Sequence, residues 1–218
     1  MALLRSSGSS AGLRRELFPI GFAGEVMLHI METWAKFSMQ RQVRHETKIT
    51  ALFRDALIEA YVAAGRSWFI ALEDPITDPD FGTELGRNDL RFYPQNHCGQ
   101  TVFFTVECKR LRVKNKSGLS HLADKYVDEG LRRFVDGRYS AGLPCGGMVG
   151  YVMDGNVAEA FATVRAAIEA KATELRVSVE GVCVPSKAIP SYEWSADTRH
   201  ACKTGELAVH HVLVGVMQ

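Results

Sequence analysis

Several signatures that would assign a protein at once are missing from this chain. Its five cysteines, at positions 98, 108, 145, 183 and 202, form no CxxC pair and no zinc-finger spacing. An odd, scattered set of this kind reads as reduced thiols serving as small buried hydrophobes in a cytoplasmic protein. No apolar run approaches the roughly 20 residues that a membrane span needs, so no membrane partner is expected. The opening MALLRSSGSSAGLRR is basic and serine-rich, but no apolar stretch follows it, and it reads as a floppy arm or cloning remnant rather than a signal peptide. Net charge is also lacking: the formal value is +1, so any affinity for a polyanion must come from local charge. There is no internal repeat, no interdomain linker, no P-loop or helicase motif, and no evident base-reading module.

What is present is a chain of 218 residues, long enough for one domain with a real core and a helical extension. Met27, Ile30, Met31, Trp34 and Phe37 recur at helical spacing and predict a first helix from Phe22 to about Phe37. A second is predicted over roughly 41–64, with Ile49, Phe53, Leu57 and Tyr61 down one side and Gly65 as its stop. The period then changes. Strands are expected at 67–73, 88–93 and 101–113, with 73–87 an exposed Pro/Asp/Gly-rich loop, a turn around 95–100, and a loop at 114–120. A helix at roughly 121–136, an apolar strand at 148–153, a helix at about 156–175, and strands near 177–184 and 207–216 complete the pattern. The unit formed by 101–113, 121–136 and 148–153 predicts two parallel strands joined by a right-handed crossover. The fold class is therefore α/β, a central mixed sheet flanked by helices.

The strand TVFFTVECKRLRVK (101–114) carries charges where a buried strand normally rejects them. Alternation puts Phe103, Thr105, Glu107 and Lys109 on one face and Val102, Val106 and Cys108 on the other. In the preceding strand Asp89 and Arg91 share a face, and a hairpin-like link brings Asp89 beside 105–109. Two carboxylates and an ammonium at a strand end suit phosphodiester hydrolysis. Hard oxygen ligands hold Mg²⁺ or Mn²⁺, and a nearby lysine orients or helps deprotonate the attacking water. Glu46 lies three and seven residues before Ile49 and Phe53, so it continues an apolar stripe, and an acid there needs a cation or a basic partner.

The D89-x17-E107-C108-K109 spacing, the helix carrying Glu46, and the helix-strand-strand-strand-helix-strand order resemble the PD-(D/E)xK nuclease superfamily, the restriction endonuclease-like fold. The resemblance covers about 41–153. It implies an αβββαβ core with an N-terminal helical extension: 1–40 as arm and helix, and 41–218 as the nuclease domain with a C-terminal helix and strands at 156–218. It also implies that Asp89 and Glu107 bind Mg²⁺ or Mn²⁺, that the Cys108 carbonyl completes the metal site, that Lys109 is the catalytic lysine, and that Glu46 is the helix acid seen in some branches. The dipeptide before Asp89 is Arg87-Asn88 where the superfamily often has a proline. The activity implied is that of a Mg²⁺-dependent DNA endonuclease in bacterial restriction or anti-phage defence, acting as a homodimer or alongside an operon-encoded partner.

Next to the site, KRLRVKNK (109–116) holds five basic residues and no acid, and the following helix adds more. Arg110, Arg112, Lys114, Lys116, Lys125, Arg132 and Arg133 form the expected contacts to a DNA backbone, which would be salt-sensitive. Tyr126, Gly130, Phe134 and Tyr139 read as a core stripe, with Gly130 permitting close helix–sheet approach and a phosphate or base contact by Tyr126 as the alternative. His210 and His211 point to opposite faces of the terminal strand, predicting one hydrogen-bonded core histidine and one on the surface. The rival function is a catalytically silent nuclease-fold subunit that binds DNA or a partner protein. A glycosidase built on paired carboxylates leaves the lysine and the basic run unexplained.

Overall fold

The computed structural model describes residues 10–37, 43–66, 68–77, 84–95, 101–178 and 182–216. The first helix expected from sequence appears as α2 (Phe22–Trp34), preceded by a short α1 (Ser10–Glu16), and the second as α3 (Glu46–Ala64). Gly65 ends α3 in the left-handed conformation at φ 59°, a geometry glycine reaches without a Cβ penalty.

Among the described residues, seven strands form one mixed sheet in the order β1-β2-β3-β6-β9-β8-β7. These are β1 (Trp68–Thr77), β2 (Glu84–Pro94), β3 (Phe104–Leu111), β6 (Cys145–Val152), β7 (Val184–Pro185), β8 (Ser195–Cys202) and β9 (Gly205–Gly215). β3 and β6 are parallel, as the crossover predicts, and β6 and β9 are parallel as well. The remaining ladders are antiparallel.

Each face of the sheet has its own core. Leu90, Phe92, Phe104, Val106, Cys108 and Val149 pack with α2 and α3 through Val26, Met27, Ile30, Ile49, Phe53 and Leu57. On the other side Leu111, Met148, Val152, Val209 and Leu213 meet Tyr126, Leu131 and Phe134, and also Val164 and Ile168 of α6 (Val157–Ala170). Burial on both sides explains why the central strands read as near-continuous apolar runs.

Several sequence expectations need correction. The expected loop at 73–87 is largely strand: β1 runs to Thr77 and β2 begins at Glu84. Pro75 is tolerated because β1 is the edge of the sheet. The strand expected over 101–113 stops at Leu111, because Arg112 turns left-handed at φ 53°. The expected loop at 114–120 is instead a small hairpin of β4 (Val113–Asn115) and β5 (Gly118–Ser120). The helix at 121–136 is broken into α4 (Ala123–Tyr126), a π-turn over Val127–Leu131 and α5 (Arg132–Val135). The helix expected to reach 175 leaves regular geometry after Ala170. Near 177–184 there is only an isolated bridge from Val177 to His200 and the start of β7, and β8 was not foreseen.

No helix among the described residues is long and apolar enough to cross a membrane. Cys108, Cys145, Cys183 and Cys202 are free thiols, whereas Cys98 and the turn at 96–100 lie outside the described residues.

Candidate active site

The site forms where β2 peels away from β3. Their ladder pairs Leu90 with Val106, Arg91 with Thr105 and Phe92 with Phe104, and one more step in that register sets Asp89 across from Glu107. Beyond that point β3 still pairs with β6 through residues 106–111, but its other edge has lost its partner strand. Two amides along that edge are taken by carboxylates: Cys108 N donates to Asp89 Oδ2 at 2.7 Å, and Arg110 N donates to Glu46 Oε2 at 2.8 Å. The charges are therefore tied to the end of a sheet ladder, where unpaired backbone groups need partners.

Lys109 knits the cluster together. Its Nζ donates to Glu107 Oε1 at 2.6 Å, to the Cys108 carbonyl at 3.2 Å and to Glu46 Oε1 at 3.3 Å. Arg133, on α5, reaches Glu107 Oε1 at 3.2 Å and donates to the Tyr139 hydroxyl at 2.6 Å. Glu107 is 1% exposed. Its Oε1 thus faces two cations, while its Oε2 is buried with no hydrogen-bond partner. Leaving a buried charged oxygen unpaired is costly.

Titration follows this geometry. Burial, reinforced by the nearby charge of Glu107, pushes the Asp89 carboxyl up to about 7. Burial also raises Glu107, against the pull of Lys109 and Arg133. Burial alone would lower Lys109, but Glu107, Asp89 and Glu46 outweigh it and hold the ammonium above its ordinary value. Lys109 is therefore held as an ammonium among these oxygens. Crowded, desolvated carboxylates that resist ionising together are what a divalent cation relieves.

The structure brings Asp89, Glu107, Cys108, Lys109 and Glu46 together, with roles differing from the expected set. Glu46 is engaged by Lys109 and the Arg110 amide, so it serves as their partner rather than as an evident metal ligand. Among the described residues, no group of three or more His, Cys, Asp or Glu side chains could hold a metal. What remains for a cation is the Asp89 carboxylate, the Glu107 carboxylate with its orphan Oε2, and the Cys108 carbonyl, which also accepts from Lys109. That donor set is all oxygen, and it fits Mg²⁺ or Mn²⁺, which keep several waters and bind through one or two carboxylates.

The basic residues divide. Lys114, Lys116 and Lys125 are exposed, and Lys125 lines a cavity of about 170 Å³ with Glu46, Lys109, Arg110, Leu122 and Glu129. Arg110 donates to the Arg44 carbonyl at 2.5 Å. Arg112 is a correction: it is 5% exposed and bound to Asp154 at 2.9 Å, because its left-handed turn folds the side chain inward, so it is not offered to a phosphate. Arg132 is likewise committed, to Asp128 and Glu174. Arg133 was expected at a DNA backbone and instead holds Glu107.

Tyr139, expected as part of the core stripe with Tyr126, Gly130 and Phe134, is buried as expected and also accepts a hydrogen bond from Arg133 beside Glu107. Tyr126 is wholly buried and Gly130 gives close packing, since a Cβ there would stand 2.6 Å from Met148 Cε. The histidine expectation fails in one respect: both are buried, His210 against Asp197 at 2.8 Å and His211 against Tyr126 and Thr198. Family models, curated proteins and solved structures yield no match to this chain.

Proposed function

We propose that this chain is a Mg²⁺- or Mn²⁺-dependent nuclease of the PD-(D/E)xK type that hydrolyses phosphodiester bonds of DNA. The observation that carries it is the buried Glu107, its Oε1 shared by Lys109 and Arg133 and its Oε2 orphaned, opposite an Asp89 whose ionisation is suppressed. Asp89, Glu107 and the Cys108 carbonyl would hold the cation, whose chemistry there would be to offset phosphate charge and make a water easier to deprotonate near neutral pH.

The chain's own residues do the rest. The Lys109 ammonium, held among the Glu107, Glu46 and Cys108 oxygens, would stabilise negative charge developing on phosphoryl oxygens. Glu46 restrains Lys109 and the β3 edge. Arg133 and Tyr139 hold the Glu107 carboxylate in place. Exposed Lys114, Lys116 and Lys125 supply backbone contacts that position a polyanion without reading its sequence. The setting the resemblance implies is cytoplasmic restriction or anti-phage defence, with target choice in a partner and a second copy to cut the second strand.

The second reading, a silent subunit that binds DNA or protein, is favoured by the lack of three gathered ligand side chains among the described residues. Incubation of supercoiled plasmid with Mg²⁺ or Mn²⁺, against EDTA, separates the two. The nuclease reading expects divalent-dependent nicking by the natural chain and none by Lys109→Ala. Equal nicking by both, or none by either, rejects it.

A further inference from the structure

The hairpin of β4 and β5 stands just past the end of β3 as a two-stranded sheet of its own. Residues 114–119 are all exposed. A lone pair of strands is marginal in water, yet this one is fixed at both ends. The residues flanking it, Arg112 and Leu122, are both left-handed, at φ 53° and 60°, a conformation that costs a residue with a Cβ and persists where the surroundings impose it. The Arg112 amide closes the base by donating to the His121 carbonyl at 3.1 Å, and the Arg112 side chain is buried against Asp154. At the tip, Asn115 Oδ1 accepts from the Ser117 amide at 3.0 Å and from its hydroxyl at 2.7 Å, while Asn115 Nδ2 donates to Ser120 Oγ at 3.0 Å.

Val113 pairs with Ser120 and packs against the core under α2 and α3, so alternation turns the next pair, Lys114 with Leu119, away from it. That outward pair sets an ammonium beside a leucine that keeps 38% of its surface exposed. Lys116 stands at the turn. Arg112, Arg132 and Arg133 spend their charge on Asp154, Asp128, Glu174 and Glu107, whereas no ion pair engages Lys114 or Lys116 among the described residues. The base of the hairpin adjoins the site: Leu122, just past β5, lines the same cavity as Lys109 and Lys125. With Asn115 spent on the turn, the arm presents charge and apolar surface but no side-chain amide to read a base edge. Two strands about 4.8 Å apart fit a groove about 12 Å wide, which is the width of the B-form major groove. A-form RNA has a major groove too narrow to admit such a ribbon, and a single strand has none.

We propose that the hairpin at 113–120 enters the major groove of duplex DNA, with Lys114 and Lys116 on the flanking phosphates and Leu119 against the base edges, so that the substrate brought to Asp89 and Glu107 is B-form duplex taken without choice of sequence. The inference rests on the nuclease reading for what happens at the carboxylates, but the binding it describes does not need the cation.

Fluorescence anisotropy of short labelled oligonucleotides in EDTA tests it on the full chain. The natural protein is expected to bind a blunt DNA duplex tighter than an RNA duplex of equal length or either DNA strand alone. Methyl green, which fills the major groove, is expected to displace it from the DNA duplex, and netropsin, a minor-groove ligand, is not. Leu119→Gln is expected to weaken DNA duplex binding about fivefold, a fraction of what a fully buried leucine contributes, with the melting temperature unchanged. Val62→Gln, the same kind of change at an exposed position near the end of α3, should alter neither. Equal or tighter binding of the RNA duplex or the single strands, displacement by netropsin alone, or unchanged affinity in Leu119→Gln overturns the arm. So does a change in oligomeric state with Leu119→Gln, which would make the leucine a contact between copies. Plasmid nicking measured in parallel separates the two ideas. Nicking with no Leu119 effect sinks the arm alone, and Leu119-dependent duplex binding without any nicking sinks the nuclease reading alone.

Discussion

Two buried polar clusters stand side by side on one face of the sheet, and they are built to opposite rules. Register places Glu107, Met148 and His211 in a row across β3, β6 and β9, so the clusters lie about 10 Å apart with one methionine between them. Around His211 every group is answered. The Tyr126 hydroxyl donates to His211 Nδ1 at 3.0 Å, His211 Nε2 to Thr198 Oγ1 at 2.9 Å, Thr198 to His200 Nε2 at 2.7 Å, and His200 Nδ1 to the Leu175 carbonyl at 2.7 Å. The Leu175 carbonyl can only accept, so with both rings neutral these directions and one tautomer of each ring follow. Burial lowers both histidines, His211 to about 3. Around Glu107 three carboxylates face two cations, and one buried oxygen has no partner. A closed network fixes a fold. An open one stores unfavourable electrostatics that a ligand can relieve.

The largest expected effect is on the open cluster. Lys109→Ala removes the ammonium that three carboxylate and carbonyl oxygens share, and should lower divalent-dependent cleavage by about 10²–10³-fold, read from plasmid nicking rates. The same change in the closed cluster should do nothing of the kind. Thr198→Val strands both histidines and should cost about 1–3 kcal/mol of stability, measured by urea unfolding, with cleavage per folded molecule unchanged. If Thr198→Val abolished cleavage at intact stability, the division between the two clusters would fail.

Asp89→Asn sharpens the contrast because its effect on stability should have the opposite sign. The amide still offers an oxygen to Cys108 N but carries no charge, so the cation-free protein should gain about 1 kcal/mol at pH 8 while losing its response to Mg²⁺. A smaller effect separates the clusters by pH. Asp89 is raised to about 7, so between about 4 and 7 the folded state holds a proton the unfolded chain has released, and stability falls as pH rises through that window. His211 is lowered to about 3, so below about 6.5 the unfolded chain binds a proton the folded state refuses, and stability falls as pH drops. The two slopes oppose each other between about pH 4 and 6.5, so thermal unfolding in EDTA across pH 4–8 should show a nearly flat profile there in the natural chain and a clear acid-side loss once Asp89→Asn removes the opposing slope. Smallest is the effect of Lys114→Ala with Lys116→Ala, a several-fold loss of DNA affinity that shrinks as salt rises.

The same comparison explains what the sequence could reveal. Asp89, Glu107 and Lys109 were legible because alternation and hairpin geometry suffice to bring them together, and because charges in an apolar strand stand out. Glu46 was legible from its place on the apolar stripe of α3. β8 was not, because SADTRHAC lacks apolar alternation: Ser195, Asp197, Thr198 and His200 are buried and hydrogen-bonded to Ile189, Lys187, His211 and Leu175, all outside the strand. Arg112 was misassigned for a related reason. A basic run does not show that one of its members turns left-handed and pairs with Asp154. Arg133 and Tyr139 meet Glu107 through the broken helix and its exit, and no local spacing encodes the π-turn that sets their direction.

The central claim is that the unpartnered Glu107 oxygen and Asp89 await a divalent cation. Calorimetric titration of Mn²⁺ into the natural chain and into Glu107→Gln, at pH 8 and without nucleic acid, tests it most directly. The account predicts one saturable site in the natural chain and its loss in the variant, with a rise in melting temperature only where the cation binds. No binding to the natural chain, or equal binding to both, contradicts it.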